Sequence, residues 1–337
     1  MNDVKRLTVR TTDPLVWLPP LAAAGYPFLL MLFHRWIGPP GSAAMPMDMT
    51  GAAIMLLLAF CVPALGIRVA ARPAIPTGFR RLAYASVAAP TVYVFLGVVQ
   101  ALLGSPIPDP WVWCAIWLAA TIWAARSAEP ATPQLATPAL ARWRVAHGLS
   151  ALIVCAYVLF HLANHLAGLL GPAEHRAVMD WGRTVYRSPL IEPPLVLACL
   201  FQIGSGLYLA WRWSAAPHDP WRTFQVASGL YLAMFLLGHM NSVFIYARLS
   251  LGIPTDWDFA TGAPTGLIHD PWNIRLLPHY ALGVFFVLGH LASGLRVVSL
   301  AHGAGLRGAN RGGFVAIAAS AAIAIAIVAG MSGLRVG

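Results

Sequence analysis

Apolar segments of roughly 17 to 26 residues, bounded by Pro, Gly or charge, take up most of this chain. Nine can be marked, near 15–37, 51–71, 81–104, 110–126, 144–170, 190–213, 222–247, 276–299 and 313–334. A helix of about 20 residues crosses the roughly 30 Å hydrocarbon core of a bilayer. Composition closes off the alternative of a water-soluble fold. Of 337 residues 58% are hydrophobic and only 10% charged, with mean hydropathy +0.68, whereas a globular domain is about a quarter charged. The sequence therefore predicts an all-α, polytopic helical membrane protein of about nine transmembrane helices, with the lipid bilayer as its first partner. Lys5, Arg6 and Arg10 precede the first segment without a short apolar core and cleavage site, so that helix is expected to stay.

Nine helices with the N-terminus inside place 15 of the 22 basic residues in the cytoplasm, and 8 of the 12 acids outside. The basic bias predicts an N-in, C-out topology in a bacterial inner membrane. The same basic residues are scattered over loops instead of forming one stripe, which excludes nucleic acid as a partner. Cys61, Cys114, Cys155 and Cys199 all lie in apolar runs without CxxC spacing and read as small core residues. One linker-like stretch, SAEPATPQLATPALAR (127–142), separates a four-helix section (1–126) from a five-helix section (143–337).

An internal repeat then singles out particular histidines. WRVAHGLSALIVCAYVLFH (143–161) and WRTFQVASGLYLAMFLLGH (221–239) both open with Trp-Arg, share Ser at the eighth place and close with His at the nineteenth. QIGSGL (202–207) and HLASGL (290–295) repeat Ser-Gly-Leu three residues after Gln202 and His290. Eighteen residues at 1.5 Å rise put His161 and His239 about 27 Å from the opening Trp, at one depth toward the outside. On the antiparallel helices Gln202 and His290 share a second depth. No Asp or Glu lies in the middle of any of the nine segments. That argues against a carboxylate proton relay and against zinc or di-iron chemistry. Two neutral imidazoles on facing helices suit axial ligation of haem iron. A histidine can also act as polar glue between helices, and that reading stays open for His290. His165 and His34 read as interfacial, His279 as the outer mouth of its helix, and His147, His218 and His302 as the solvated cytoplasmic edge.

With these residues in view, the second section resembles the five-helix cytochrome b membrane subunits of succinate dehydrogenase and fumarate reductase. The resemblance rests on RVAHGLS, FHLANH, the loop GPAEHRAVMDWGRTVYRSPLIEP, QIGSGLYLAW, LLGHMNS and VLGHLASGL, and covers a little over half the chain. It implies a haem b electron carrier exchanging electrons with quinone, a subunit and not a complete enzyme. It implies cytoplasmic redox subunits (flavoprotein, iron–sulfur) as partners. His161 and His239 would hold the haem farther from the cytoplasm and His290 one side of the nearer one. Gln202 stands where the last histidine should be, so one haem per chain is expected. In the loop, Arg183 and Arg187 are placed four residues apart to bind a haem propionate or a quinone carbonyl. The third and fourth segments resemble a degenerate copy of the repeat with Trp117 near the ligand position, expected to bind nothing. The competing reading is a haem-free transporter or assembly factor, which broken helices and paired midplane charges would favour; neither is evident from sequence.

Overall fold

The computed structural model describes residues 13–38, 41, 45–126 and 138–336. Helix makes up 83% of the described residues, and no strand occurs among them. A 3₁₀ turn, Pro14–Trp17, is capped by Asp13, which accepts the Leu15 N–H at 3.0 Å, and leads into α1 (Leu18–Ile37). The chain continues through α2 (Pro46–Ala70), α3 (Thr77–Val87), α4 (Ala89–Leu102), α5 (Asp109–Arg126), α6 (Pro138–Ala167) and α7 (Pro172–Tyr186). Then come α8 (Glu192–Trp213), α9 (Pro220–Met240), the short α10 (Trp257–Thr261) and α11 (Gly266–His269), α12 (Leu276–Ala301) and α13 (Leu306–Met331). Beyond α9 the winding widens to a π-helix over Asn241–Leu251.

Among the described residues seven spans are long and apolar enough to cross a membrane: those built on α1, α2, α6, α8, α9 with its π-wound extension, α12 and α13. Large apolar side chains such as Leu57, Leu152, Leu197 and Ile325 stay exposed along them, an amount of apolar surface suited to lipid and not to water. The chain is an integral membrane protein. An eighth span results if α3 and α4 are taken as one, but they are bent by 71°. Pro90 in the first turn of α4 lacks the N–H that would continue the ladder and restricts the residue before it. The expected fourth segment is α5, which is not among the spans. At 18 residues it is barely long enough, and four tryptophans and its terminal Asp109 and Arg126 dilute its hydropathy. Of the expected linker, 127–137 lies outside the described residues, and 138–142 already belongs to α6.

Residues before 127 and residues after 138 share one core. Tyr26, Phe79, Tyr84 and Trp113 belong to the same buried cluster as Tyr231, Ile274 and Phe286, and α3 and α4 pack on α9. Proline again explains a specific contact. Pro27 inside α1 leaves the Ala23 carbonyl without its usual helical donor. The buried Trp113 supplies one from α5, its indole N–H donating to that carbonyl at 2.6 Å. Asp109 and Arg275 form a 2.6 Å ion pair, side chains 17% and 9% exposed, that ties α5 to the start of α12. The wholly buried Arg80 donates to the carbonyls of Ala70, Arg72, Pro73 and Ile75 and so closes the α2–α3 turn. All four cysteines are free.

The exception to this close packing is α6. No residue of its most apolar stretch is buried, against 39% for the span containing α1. It leans on α7, α8 and α13, and its other side faces open space.

Candidate functional site

The open space is a cavity of about 2050 Å³ walled by α6, α8, α9, α12 and α13, with α7 and the 251–276 loop at one end. Ligand pockets are commonly about 300–1,000 Å³, so this one has room for more than one large ligand. Its walls are apolar except for histidines and a few arginines and amides, and these gather at two levels.

At the α7 end the structure brings His161 of α6 and His239 of α9 together, their ring centroids 6.0 Å apart at an interplanar angle of 65°. Each ring is held against an aromatic on its own helix: His161 lies 5.6 Å from Tyr157, and His239 stacks at 5.6 Å and 6° on Phe235. Among the described residues neither imidazole has a hydrogen-bond partner. His165 stands 4.6 Å from His161 and 5.3 Å from His175 of α7, so the expected interfacial histidine lines the cavity instead. His279 does too; it is 2% exposed and lies 4.5 Å from Phe235. His175 is packed 4.7 Å from Trp257 with its Nε2 3.2 Å from the Asn164 amide nitrogen. Gly168 makes room for that indole, because a Cβ there would collide with it. Burial, reinforced by Arg183 and opposed by Asp256, pushes the His175 imidazole down to about 4. Asn164 Oδ1, His165 Nδ1, His175 Nδ1, Arg183 Nε and His279 Nδ1 are all buried without a protein partner.

Arg183 and Arg187 close this end. The expectation that four residues put them on one face is matched by their shared target in the facing loop. Arg183 donates to the Thr255 carbonyl at 3.0 Å and Arg187 to the Thr255 hydroxyl at 2.8 Å, and both line the cavity.

The second level lies 14 residues earlier on α6, about 21 Å away along the helix. Here His147, Gln202 and His290 all stand on the cavity wall. The Gln202 amide is engaged within the protein, donating to the His147 carbonyl at 2.8 Å and the Ser150 hydroxyl at 2.6 Å. His147, expected at a solvated edge, is half-buried on the cavity wall with Nδ1 2.7 Å from Ser205 Oγ. His290 mirrors it, with Nδ1 3.0 Å from Ser228 Oγ. The sequence did carry a signal for this: SGLYL occurs at 205–209 and again at 228–232. The remaining histidines lie away from this level. His218 bonds the Trp213 carbonyl, His302 the Val298 carbonyl, and His34 the His269 carbonyl.

Among the described residues no three His, Cys, Asp or Glu side chains converge as a metal ion held by protein alone requires. Comparison with family models, with curated proteins and with solved structures finds no match to this chain.

Proposed function

We propose that this chain is a haem b membrane protein carrying electrons between a quinol and a redox partner. The observation that carries the reading is the 6.0 Å spacing of the His161 and His239 rings across the cavity. Two neutral imidazoles at that spacing on facing helices could both be ligands to one haem iron. An unpartnered histidine in a transmembrane helix is costly and calls for a ligand. His161 and His239 would hold the haem iron, and the cavity they line has room for the macrocycle. Bound haem iron would supply one-electron chemistry, which belongs to the cofactor.

The chain's own contribution is to orient and to shield. Phe235 and Tyr157 fix the two rings, and apolar walls exclude water. Arg183 on α7 and Arg187 just after it, both on the cavity wall, would offer charge-assisted bonds to a propionate or a quinone carbonyl. The reading keeps the resemblance to the cytochrome b subunits of succinate dehydrogenase and fumarate reductase, with flavoprotein and iron–sulfur partners on the cytoplasmic side. It also keeps the N-in, C-out topology in a bacterial inner membrane, with α3–α4 and α5 as the two further crossings that make nine. The α7 end then faces outward.

A second reading, a haem-free transporter, is favoured by the 71° break between α3 and α4. Colour separates the two. Protein purified in detergent from haem-replete cells is expected to show a reduced-minus-oxidised b-type spectrum. His161→Ala and His239→Ala should each remove the low-spin signal of their site, and His302→Ala should leave it. Colourless wild-type protein, or full haem content in both ligand variants, would overturn the haem reading.

A further inference from the structure

The cavity is open on one side, and the place where it opens follows from how α6 is held. Toward its end α6 seals against α13. Val158, Leu162 and Leu166 pack with Ile323, Ala324 and Ile327 in one apolar cluster, and the Val336 N–H donates to the Leu169 carbonyl at 2.9 Å. Gly330 permits this approach, since a Cβ there would stand 3.2 Å from Leu169 Cδ2. Toward its start α6 is drawn to α8 instead. Trp143 stacks on Phe201 at 6.0 Å and 15°, and Gln202 donates to the His147 carbonyl and the Ser150 hydroxyl. The first half of α6 therefore diverges from α13 and leaves a slot toward α12 and α13. Its edges are residues that line the cavity and are exposed at the same time: Val145 and Leu152 on α6, Leu295 and Val298 on α12, Ala319 on α13. Leu152 and Leu295 are 68% and 66% exposed, so the chain itself covers neither. Val145 to Leu152 takes up about 10 Å of helix. The slot lies within spans that cross the bilayer, so hydrocarbon and not water stands outside it.

The end of the slot at the start of α6 is cationic. Arg144 and Gly148, four residues apart, share a face of α6, and both line the cavity. Arg222 lines it from α9 and donates to Gln225 Oε1 at 3.0 Å. Neither guanidinium takes part in an ion pair among the described residues. Asp219, the acid closest in sequence to Arg222, is occupied by the N–H groups of Trp221 and Arg222 at the head of α9. We propose that the slot binds one anionic phospholipid from the bilayer, with an acyl chain between α6 and α13 and the phosphate on Arg144 and Arg222. The apolar edges select a hydrocarbon chain, and two cations without a carboxylate select an anion at its head. Guanidinium matches phosphate oxygens through paired N–H bonds, and basic pockets between transmembrane helices are headgroup sites. The proposal needs no haem, and a colourless protein would leave it standing.

Native mass spectrometry of the full-length chain in detergent, titrated with dioleoyl phosphatidylglycerol or dioleoyl phosphatidylcholine, reads the site directly. The wild type is expected to retain one phosphatidylglycerol per chain. Two arginines at the headgroup should favour it over phosphatidylcholine on the order of tenfold or more. Arg144→Gln combined with Arg222→Gln should bind the two lipids alike. Arg307→Gln, at the same end but off the cavity wall, should behave as wild type. Leu152→Trp fills the slot from an exposed position and should remove the retained lipid with the unfolding temperature held. If the arginine variant fails to fold, the wild-type preference and Leu152→Trp still decide. Equal retention of both lipids by the wild type, or retention untouched by Leu152→Trp, would mean lipid on the outer surface only and end the proposal. A quinone in the organic extract of the wild type, in place of phospholipid and absent from Leu152→Trp, would give the slot to an isoprenoid tail, and the proposal would equally fail.

Discussion

The residues before 127 and those after 138 are both bundles of apolar helices, yet one is filled and the other hollow. In the first, tryptophan and tyrosine occupy the centre: Trp113 lies 5.4 Å from Tyr93 and 5.7 Å from Trp117, and all three are buried. In the second, α6 stands off from α9 and α12 and the gap is lined by histidines. Ten of the eleven histidines of the chain lie after residue 138. Trp117 is buried in that core, where an indole fills the space between helices. Interiors are close-packed by default, so a gap of about 2050 Å³ whose apolar walls carry several histidines is a place for something else. The difference teaches that the same helix pattern makes a scaffold when bulky rings fill it and a container when imidazoles line it.

Stability gives the largest test of that contrast. Trp113→Ala removes a buried indole and the donor that satisfies the Ala23 carbonyl beside Pro27, and should cost about 3–5 kcal/mol. Leu236→Ala, on the cavity wall, opens onto space that already exists and should cost less than about half as much. Thermal unfolding of both variants in one detergent, without added haem, provides the measurement. Equal losses would mean that the cavity is closed in solution and that the contrast fails.

Much of this was legible beforehand, for physical reasons that can be stated. Hydropathy located α8 and α12 almost to the residue, since a span is set by the thickness of lipid and by the Pro and Arg residues around it. The break at Pro90 was written in the sequence, but a proline in an apolar run marks a kink or an end equally well. Whether α3 and α4 bend depends on their packing against α9. The in-register placing of His161 and His239 followed from helical rise alone. His147 sits three residues after Arg144, where a sequence reads as solvated edge; its place on the cavity wall beside Ser205 depends on how far α6 leans away from its neighbours, which no local pattern encodes. The doubled SGLYL was visible, but the role of its serines appears only when the hydrogen bonds of two other helices are known.

A smaller effect is expected where the hollow half meets its lid. Arg183 and Arg187 both hold Thr255, so replacing both with Gln removes two charged donors without emptying a core. Hydrogen bonds to charged groups are worth about 1.5–3 kcal/mol. The KM for a quinol is therefore expected to rise roughly tenfold, or the midpoint potential of the His161–His239 site to shift, with the unfolding temperature little changed. Thr255→Val, which removes the hydroxyl that holds Arg187 and leaves the carbonyl that holds Arg183, should show a weaker form of the same change. If kinetics and potential both stayed at wild-type values in a folded double variant, the arginines would be membrane-interface anchors only.

The smallest effect is a pH dependence, and it separates the two halves by chemistry instead of packing. His175 lies on α7, outside the spans, and burial next to Arg183 brings it to about 4 from an ordinary value of 6.5, with Asp256 pulling the other way. Between those values the unfolded chain takes up a proton that the folded chain refuses. Stability from this group is thus fully present above about 6.5, declines as pH falls through the window, and changes no further below about 4. His175→Gln keeps a polar side chain next to Asn164 and cannot titrate, so its unfolding temperature should fall less than that of the wild type between pH 7 and about 5. Asp256→Asn removes the group that raises His175 and should steepen the wild-type decline slightly at its acid end. Identical pH profiles for wild type and His175→Gln would show that the acid sensitivity arises elsewhere, and the packing of His175 against Trp257 would then be its whole contribution.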